Sequence, residues 1–182
     1  MNAFAYLVNT LFDLYLMVVI LRFWLQLARA DFYNPFSQFI VKATHPILAP
    51  MRRILPAIGT IDTASIVLAL AVVILKILSL SLIAGASFDF GTTIIFAIVS
   101  VIKEAGVLLF WILIIRAILS WVSQGSNPFE YVLIQLTEPI LSPIRRIIPP
   151  MGGLDLSVLL LMIGLNFLNM LLAQYVPFWA MA

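Results

Sequence analysis

Six ionisable residues, Asp13, Arg22, Lys76, Lys103, Glu104 and Arg116, stand inside long apolar runs, and Asn169 shares that setting. At the centre of a membrane-spanning helix a charged side chain costs roughly 2.5–3.5 kcal/mol on an insertion scale unless it is paired or wet. Such groups therefore act as interhelical ion pairs or as stations on an ion or proton route. With a rise of about 1.5 Å per residue, Asp13 lies about 22 Å and Lys76 about 18 Å from one membrane face, which makes them the best candidate pair. Asn9 shares a helix face with Asp13, whereas Arg22, nine residues on, does not. Lys103 and Glu104 are adjacent, point about 100° apart on a helix, and need separate partners. Arg22 and Arg116 lie only about 10 Å inside the same membrane face, where a long side chain can snorkel out to anchor its helix.

Outside the runs, two arginine pairs, Arg52-Arg53 and Arg145-Arg146, offer planar guanidinium groups suited to bidentate contact with phosphate, or serve as topology determinants. The catalytic inventory is thin. There is no Ser-His-Asp set, no GxSxG, no phosphate-cradling glycine loop and no metal-ligand spacing. A single His45 and the absence of cysteine remove histidine and thiolate metal sites, disulfides and iron–sulfur clusters. No cofactor, no metal and no enzymatic activity are expected.

The elements that must position these groups follow from composition. Of 182 residues, 64% are hydrophobic and 10% charged, against roughly 25% charged in soluble domains, so the chain reads as an integral membrane protein and not as a nucleic-acid binder. Four apolar runs, 3–27, 64–84, 92–122 and 156–176, predict four transmembrane helices in an all-α fold. The third exceeds one span, so it tilts or extends past the bilayer. The first lacks a basic n-region and is too long for a signal sequence, so it stays as an anchor. Loops 29–61 and 123–154 carry basic residues and connector 85–91 carries none, which predicts cytoplasmic long loops and periplasmic termini.

A shift of 93 residues superposes the two loops: Asn34 to Asp62 and Asn127 to Asp155 share 14 identities in 29 positions. Residues 1–84 and 92–176 thus form two repeats, each helix, amphipathic loop and helix, and with two spans apiece they run parallel. Asn34-Pro35 and Asn127-Pro128 each predict an N-cap followed by proline at the first helical position. Phe36, Phe39, Ile40, Ala43 and Ile47 form one apolar stripe, and Phe129, Val132, Leu133, Leu136 and Ile140 form the other, on helices expected to lie along the cytoplasmic interface with the apolar face against acyl chains or against the bundle. Pro46, Pro50 and Pro56, matched by Pro139, Pro143 and Pro149, predict short helical turns in place of a continuous helix. Asp62 and Asp155 are expected to cap the next helix, with Met151-Gly152-Gly153 as a turn before the last one. Asn169 corresponds to Lys76 under the shift, which predicts an internal polar layer, either interhelical glue or an ion route.

The signature Arg116, Ser120-Trp121, Asn127-Pro128, Thr137-Glu138-Pro139, Leu141, Pro143, Arg145-Arg146, Pro149 and Asp155-Leu156-Ser157 resembles the YggT family of small bacterial membrane proteins, in its two-repeat form and over the whole chain. The first copy keeps Arg22, Asn34-Pro35, Thr44, Pro46, Pro50, Arg52-Arg53, Pro56 and Asp62, but has Gln26-Leu27 for Ser-Trp, His45 for Glu and Ala64 for Ser. The resemblance implies an inner-membrane protein involved in the response to osmotic or extracytoplasmic stress, with a link to potassium uptake. Single-repeat relatives, associated with cell division, nucleoid distribution and cytochrome assembly, imply the alternative of a scaffold. Expected partners are the lipid bilayer with anionic headgroups at the arginine loops, and a second copy or another membrane protein.

Overall fold

A computed structural model describes residues 2–122, 127–148 and 155–182. Six helices follow in order: α1 (Ala3–Leu27), α2 (Pro35–Ile54), α3 (Thr63–Ala84), α4 (Phe90–Val122), α5 (Pro128–Ile147) and α6 (Leu156–Tyr175). Of these, α1, α3, α4 and α6 are long and apolar enough to cross a membrane, and the chain is a multi-pass membrane protein. In hydrocarbon every backbone N–H and C=O must bond within its own segment, which leaves an unbroken helix as the solution for each apolar run. The 33 residues of α4 reach about 50 Å, well beyond a hydrocarbon core of about 30 Å. Gly85 ends α3 in the left-handed region at φ 64°, and Asp89 accepts from the Thr92 N–H (2.8 Å) at the start of α4.

The loop helices correct the proline reading. α2 and α5 are each one helix of 20 residues that runs through Pro46 and Pro50 or through Pro139 and Pro143. The reason is the face on which the prolines fall. Lys42, Pro46 and Pro50 succeed one another at four-residue steps along the exposed side of α2, so the carbonyls of Lys42 and Pro46 that lose a donor lie away from the packed side. Only Pro56, beyond the C-cap at Leu55, coincides with a helix end; Pro149 and the Met151-Gly152-Gly153 turn lie outside the described residues. Ile58 and Ile61 then exchange backbone hydrogen bonds (3.0 and 3.1 Å) around Gly59 at φ 62°, a tight reversal that delivers the chain to α3. The N-caps form as expected, Asn34 and Asn127 accepting from the N–H of Phe36 and Phe129 at 3.0 Å each.

The apolar stripe of α2 divides between the packed and the exposed side. Ser37, Ile40, Thr44 and Leu48 are buried, whereas Phe39, Ala43 and Ile47 are exposed and Phe36 is half-buried. Small side chains at 37 and 44 occupy the packed side, and Thr44 Oγ1 donates to the Ile40 carbonyl (2.9 Å), so its hydroxyl enters the interior satisfied. In α5 the expected Val132, Leu133 and Leu136 are buried, joined by Glu130, Thr137 and Leu141, and Phe129 and Ile140 are half-buried.

The main core lies between α1, α3 and α4, around Leu16, Val19, Leu25, Val73 and Ala97, with Leu48 of α2 and Leu136 of α5 closing it at one end. α3 packs against α1, α2 and α4, whereas α6 packs against α4 and α5 and buries only Ser157 and Val158 of its 20 residues. The loop helices meet through equivalent positions. Phe36 and Phe129 stand edge to face with ring centroids 4.8 Å apart, and Asn34 Nδ2 donates to the Pro128 carbonyl at 2.6 Å. The rings are repeat counterparts, but the amide bond is one-sided, with no bond from exposed Asn127 to the Pro35 carbonyl among the described residues. A double-mutant cycle of Phe36→Ala and Phe129→Ala, read by unfolding in detergent, is expected to give a coupling of about 0.5–1.5 kcal/mol; additive losses would mean that the rings only fill space.

Candidate functional site

At the α2/α5 end of the bundle each repeat gathers an arginine from its long first helix, an arginine from its loop helix and the aspartate that opens its next helix. In the second repeat Arg145 donates through Nη2 to Asp155 Oδ2 (2.5 Å) and through Nη1 to both oxygens of Glu138 (2.8 and 3.0 Å). Arg116 reaches the same cluster from α4, donating to Thr137 Oγ1 and, at 3.4 Å, to Glu138 Oε2. Asp155 also accepts from the Ser157 N–H at 3.1 Å, so it caps α6 as expected. In the first repeat Arg52 Nη2 donates to Asp62 Oδ2 and to Gln26 Oε1 (3.2 Å), and Ser65 Oγ donates to the same Asp62 oxygen at 2.6 Å.

One expectation changes here. Asp62 occupies the N-cap position of α3 but makes no capping bond to the backbone: Arg52 and Ser65 engage its Oδ2, and its Oδ1 is buried with no hydrogen-bond partner among the described residues. Arg22 and Arg116 both turn toward the loop-helix end. Arg22 is buried with its guanidinium 5.1 Å from the centroid of the Phe32 ring, and Arg116 turns into the Thr137 and Glu138 side chains. Of each arginine pair only Arg53 and Arg146 are exposed, and neither has an ion-pair partner among the described residues.

The electrostatics follow from this packing. Burial raises the Asp62 carboxyl pKa, but hydrogen bonds from Arg52 and Ser65, with the charges of Arg52 and Arg22, outweigh burial and hold it below the usual carboxylate range. Asp155 is likewise held low, burial being outweighed by the Ser157 hydroxyl and Arg145. Burial alone would loosen the Arg145 proton, yet Asp155 and Glu138 hold it more firmly than usual.

Deeper in the spans the expected polar layer separates into two. Lys76 Nζ donates to Asp13 Oδ1 at 2.7 Å, and Asn9 Nδ2 donates to Asp13 Oδ2 at 2.7 Å. Glu104 of α4 is half-buried within electrostatic reach of both Asp13 and Lys76. Lys103 belongs elsewhere: it donates to the carbonyls of Trp179 (3.0 Å) and Ala182 (2.7 Å). Asn169 Oδ1 accepts from Trp179 Nε1 (2.9 Å), so the segment after α6 folds back and ties α4 to α6. Sequence reasoning missed Trp179, Gln26, Thr137 and Ser65 as partners. The one sequence signal for any of them was the Thr-Glu-Pro step inside the repeat, which places Thr137 and Glu138 beside each other.

A family model described as CCB3/YggT matches residues 1–83 and 88–176, the two repeats in turn. An uncharacterized protein in the proC 3' region of Vibrio alginolyticus is 60% identical over 182 residues, 98% of each chain. The uncharacterized protein YggT of Escherichia coli strain K12 is 47% identical, covering 96% of this chain and 91% of its own. An uncharacterized protein of Haemophilus influenzae is 39% identical over 91% of this chain and 88% of its own. No solved structure matches.

Removing the Asp62 carboxylate strands two guanidiniums, so Asp62→Asn is expected to lower stability at pH 7 by about 3 kcal/mol. Because the folded-state pKa lies below the unfolded value of about 4, this contribution is complete above that pH and is lost as pH falls through the folded value. Thermal unfolding followed by tryptophan fluorescence checks it. The gap between wild type and variant closes on acidification below pH ~4, and a gap that ignores pH would remove the ion pair as its cause.

Proposed function

The chain belongs to the CCB3/YggT family, and from its two ion-paired loop helices we propose that it is a non-enzymatic protein of the bacterial inner membrane that works as an interfacial platform. One observation carries this reading. In both repeats the first arginine of the pair is tied to an aspartate, which leaves the second, Arg53 or Arg146, pointing outward beside an isoleucine, Ile54 or Ile147, that is 81% or 82% exposed. A cation next to an exposed apolar side chain at the end of an amphipathic helix suits the boundary between anionic headgroups and acyl chains. The exposed Arg29, Lys42, Arg53 and Arg146 lie in the segments that join α1 to α3 and α4 to α6, which favours the cytoplasmic face for these loops and the periplasm for the termini. A role in osmotic or extracytoplasmic stress fits such a surface, because lateral tension changes the lipid packing that the two helices rest on.

A second reading rests on the charges at depth. Lys76 is paired with Asp13, and Glu104, within electrostatic reach of Asp13, Lys76 and Lys103, makes no ion pair of its own among the described residues, which leaves beside the pair a carboxylate able to take up a proton or a small cation. That arrangement supports ion transport, or its modulation, with potassium as the first ion to try.

The absence of native cysteine gives a direct test of the platform, since Ile54→Cys or Ile147→Cys takes one environment-sensitive dye. In nanodiscs the dye is expected to move toward the acyl chains when phosphatidylglycerol replaces phosphatidylcholine, and to lose that response in the Arg53→Glu, Arg146→Glu background. A dye bathed in water in both lipids would defeat the platform. For the second reading, proteoliposomes under an osmotic step should pass potassium or sodium through the wild type and not through Asp13→Asn present in equal folded amount. Equal flux from both would remove the triad as the route.

A further inference from the structure

The two arginine clusters follow one plan but do not balance alike. In the second repeat Arg116 and Arg145 face two carboxylates, Glu138 and Asp155. In the first, Arg22 and Arg52 face Asp62 alone, because the position of Glu138 is taken by His45, which is exposed. Arg22 is 8% exposed, and its Nη1 has no hydrogen-bond partner among the described residues. A buried guanidinium nitrogen is costly to leave unbonded.

Arg22 lines a cleft of about 400 Å³ between the end of α1, the turn at Phe32 and α2, walled also by Gln26, Gln38, Val41 and Lys42. The differences from the second repeat run in one direction. A carboxylate is lost at position 45, a lysine stands at 42 where the second repeat has Gln135, and an amide stands at 26 where it has Ser120. Gln26 Oε1 already accepts from Arg52, and its NH2 has no acceptor among the described residues. Asp31, the carboxylate next to Phe32 in the chain, does not line the cleft, and its Oδ1 accepts from the Tyr33 N–H at 2.8 Å. Two cationic side chains and two amides, that of Gln38 already donating to the Tyr33 carbonyl at 3.3 Å, stand with an aromatic wall and no acid among them, donor chemistry suited to an oxyanion. Arg22 lies about 8 Å from the end of α1 that faces the loop helices.

We propose that this cleft is a binding site for a phosphate group, a monoester or diester with one or two negative charges, held between Arg22 and Lys42 with donation from Gln26. It stands independently of the platform reading, since neither Arg53 nor Arg146 lines the cleft. A lipid headgroup and a free phosphate share this chemistry.

The test uses the full chain purified in a neutral detergent. Inorganic phosphate is titrated against chloride at equal ionic strength, and short-chain phosphatidic acid and phosphatidylglycerol against phosphatidylcholine. The thermal midpoint and, by native mass spectrometry, the bound mass are read. Saturable stabilisation with one anion per chain is expected, and the probe that acts, ion or lipid, identifies the source. Lys42→Gln is expected to weaken the apparent affinity roughly tenfold. His45→Glu, which supplies the carboxylate of the second repeat, is expected to engage Arg22, raise the midpoint in the absence of anion and abolish the response. Arg22→Gln alters a buried group and can unfold the chain, so the other two variants carry the decision. A wild type indifferent to every probe, or a response that both variants leave intact, overturns the proposal.

Discussion

A carboxylate shut away from water stays charged only where a cation is brought to it, and this requirement at Asp62 organises the loop end of the first repeat. Asp62 is 1% exposed, and the cation that reaches it comes from ten residues earlier in the chain, on the last turn of α2. For Arg52 to arrive there, α2 must remain helical past Pro46 and Pro50, and the chain must reverse tightly at Gly59 before α3 begins. The second repeat makes the same pairing through Arg145 and Asp155 in a more open place, the side chains 27% and 31% exposed, and Glu138 gives Arg145 a second partner. Breaking the Asp62 pair leaves a charge without compensation in a poorly solvated place, which costs far more than the net worth of forming it, so that pair acts as a constraint on geometry more than as a source of stability.

Much of the architecture was legible because the bilayer admits few solutions. A run such as Ala64 to Ala84 can only be a spanning helix, and depth along straight helices was enough to bring Asp13 to Lys76. What was not legible depended on which side of an element faces inward. The prolines of α2 read as breakers because their tolerance rests on their lying on the exposed face, and the inward face includes the small Ser37 and Thr44, which an apolar stripe count ignores. Trp179 could not be placed at all, since the fold-back that carries it to Lys103 and Asn169 follows from tertiary contacts that no local pattern announces.

The polar groups serve different ends at different depths. Near the loop helices they set angles between elements and decide which arginines are left over for the surroundings. In the span interior Asp13 and Lys76 join α1 to α3 with Glu104 of α4 within electrostatic reach, while Lys103, Trp179 and Asn169 join α4 to a helix that the core barely holds. Helix association in lipid gains little from apolar burial, so such contacts carry a larger share of the assembly than they would in water.

In the contact of Phe36 with Phe129 one position of the repeat meets its own copy, a kind of meeting open to two separate identical chains as well. A half-length ancestor with one copy of the motif could therefore have met a twin through this ring, and gene duplication with fusion would turn that encounter into an intramolecular one at high effective concentration. Fusion also removes a restriction that binds every homodimer, in which one substitution changes both halves at once. Once the halves are joined they can drift apart, and the exchange of a carboxylate for His45 in one half alone is the kind of specialisation that a symmetric ancestor could not have explored.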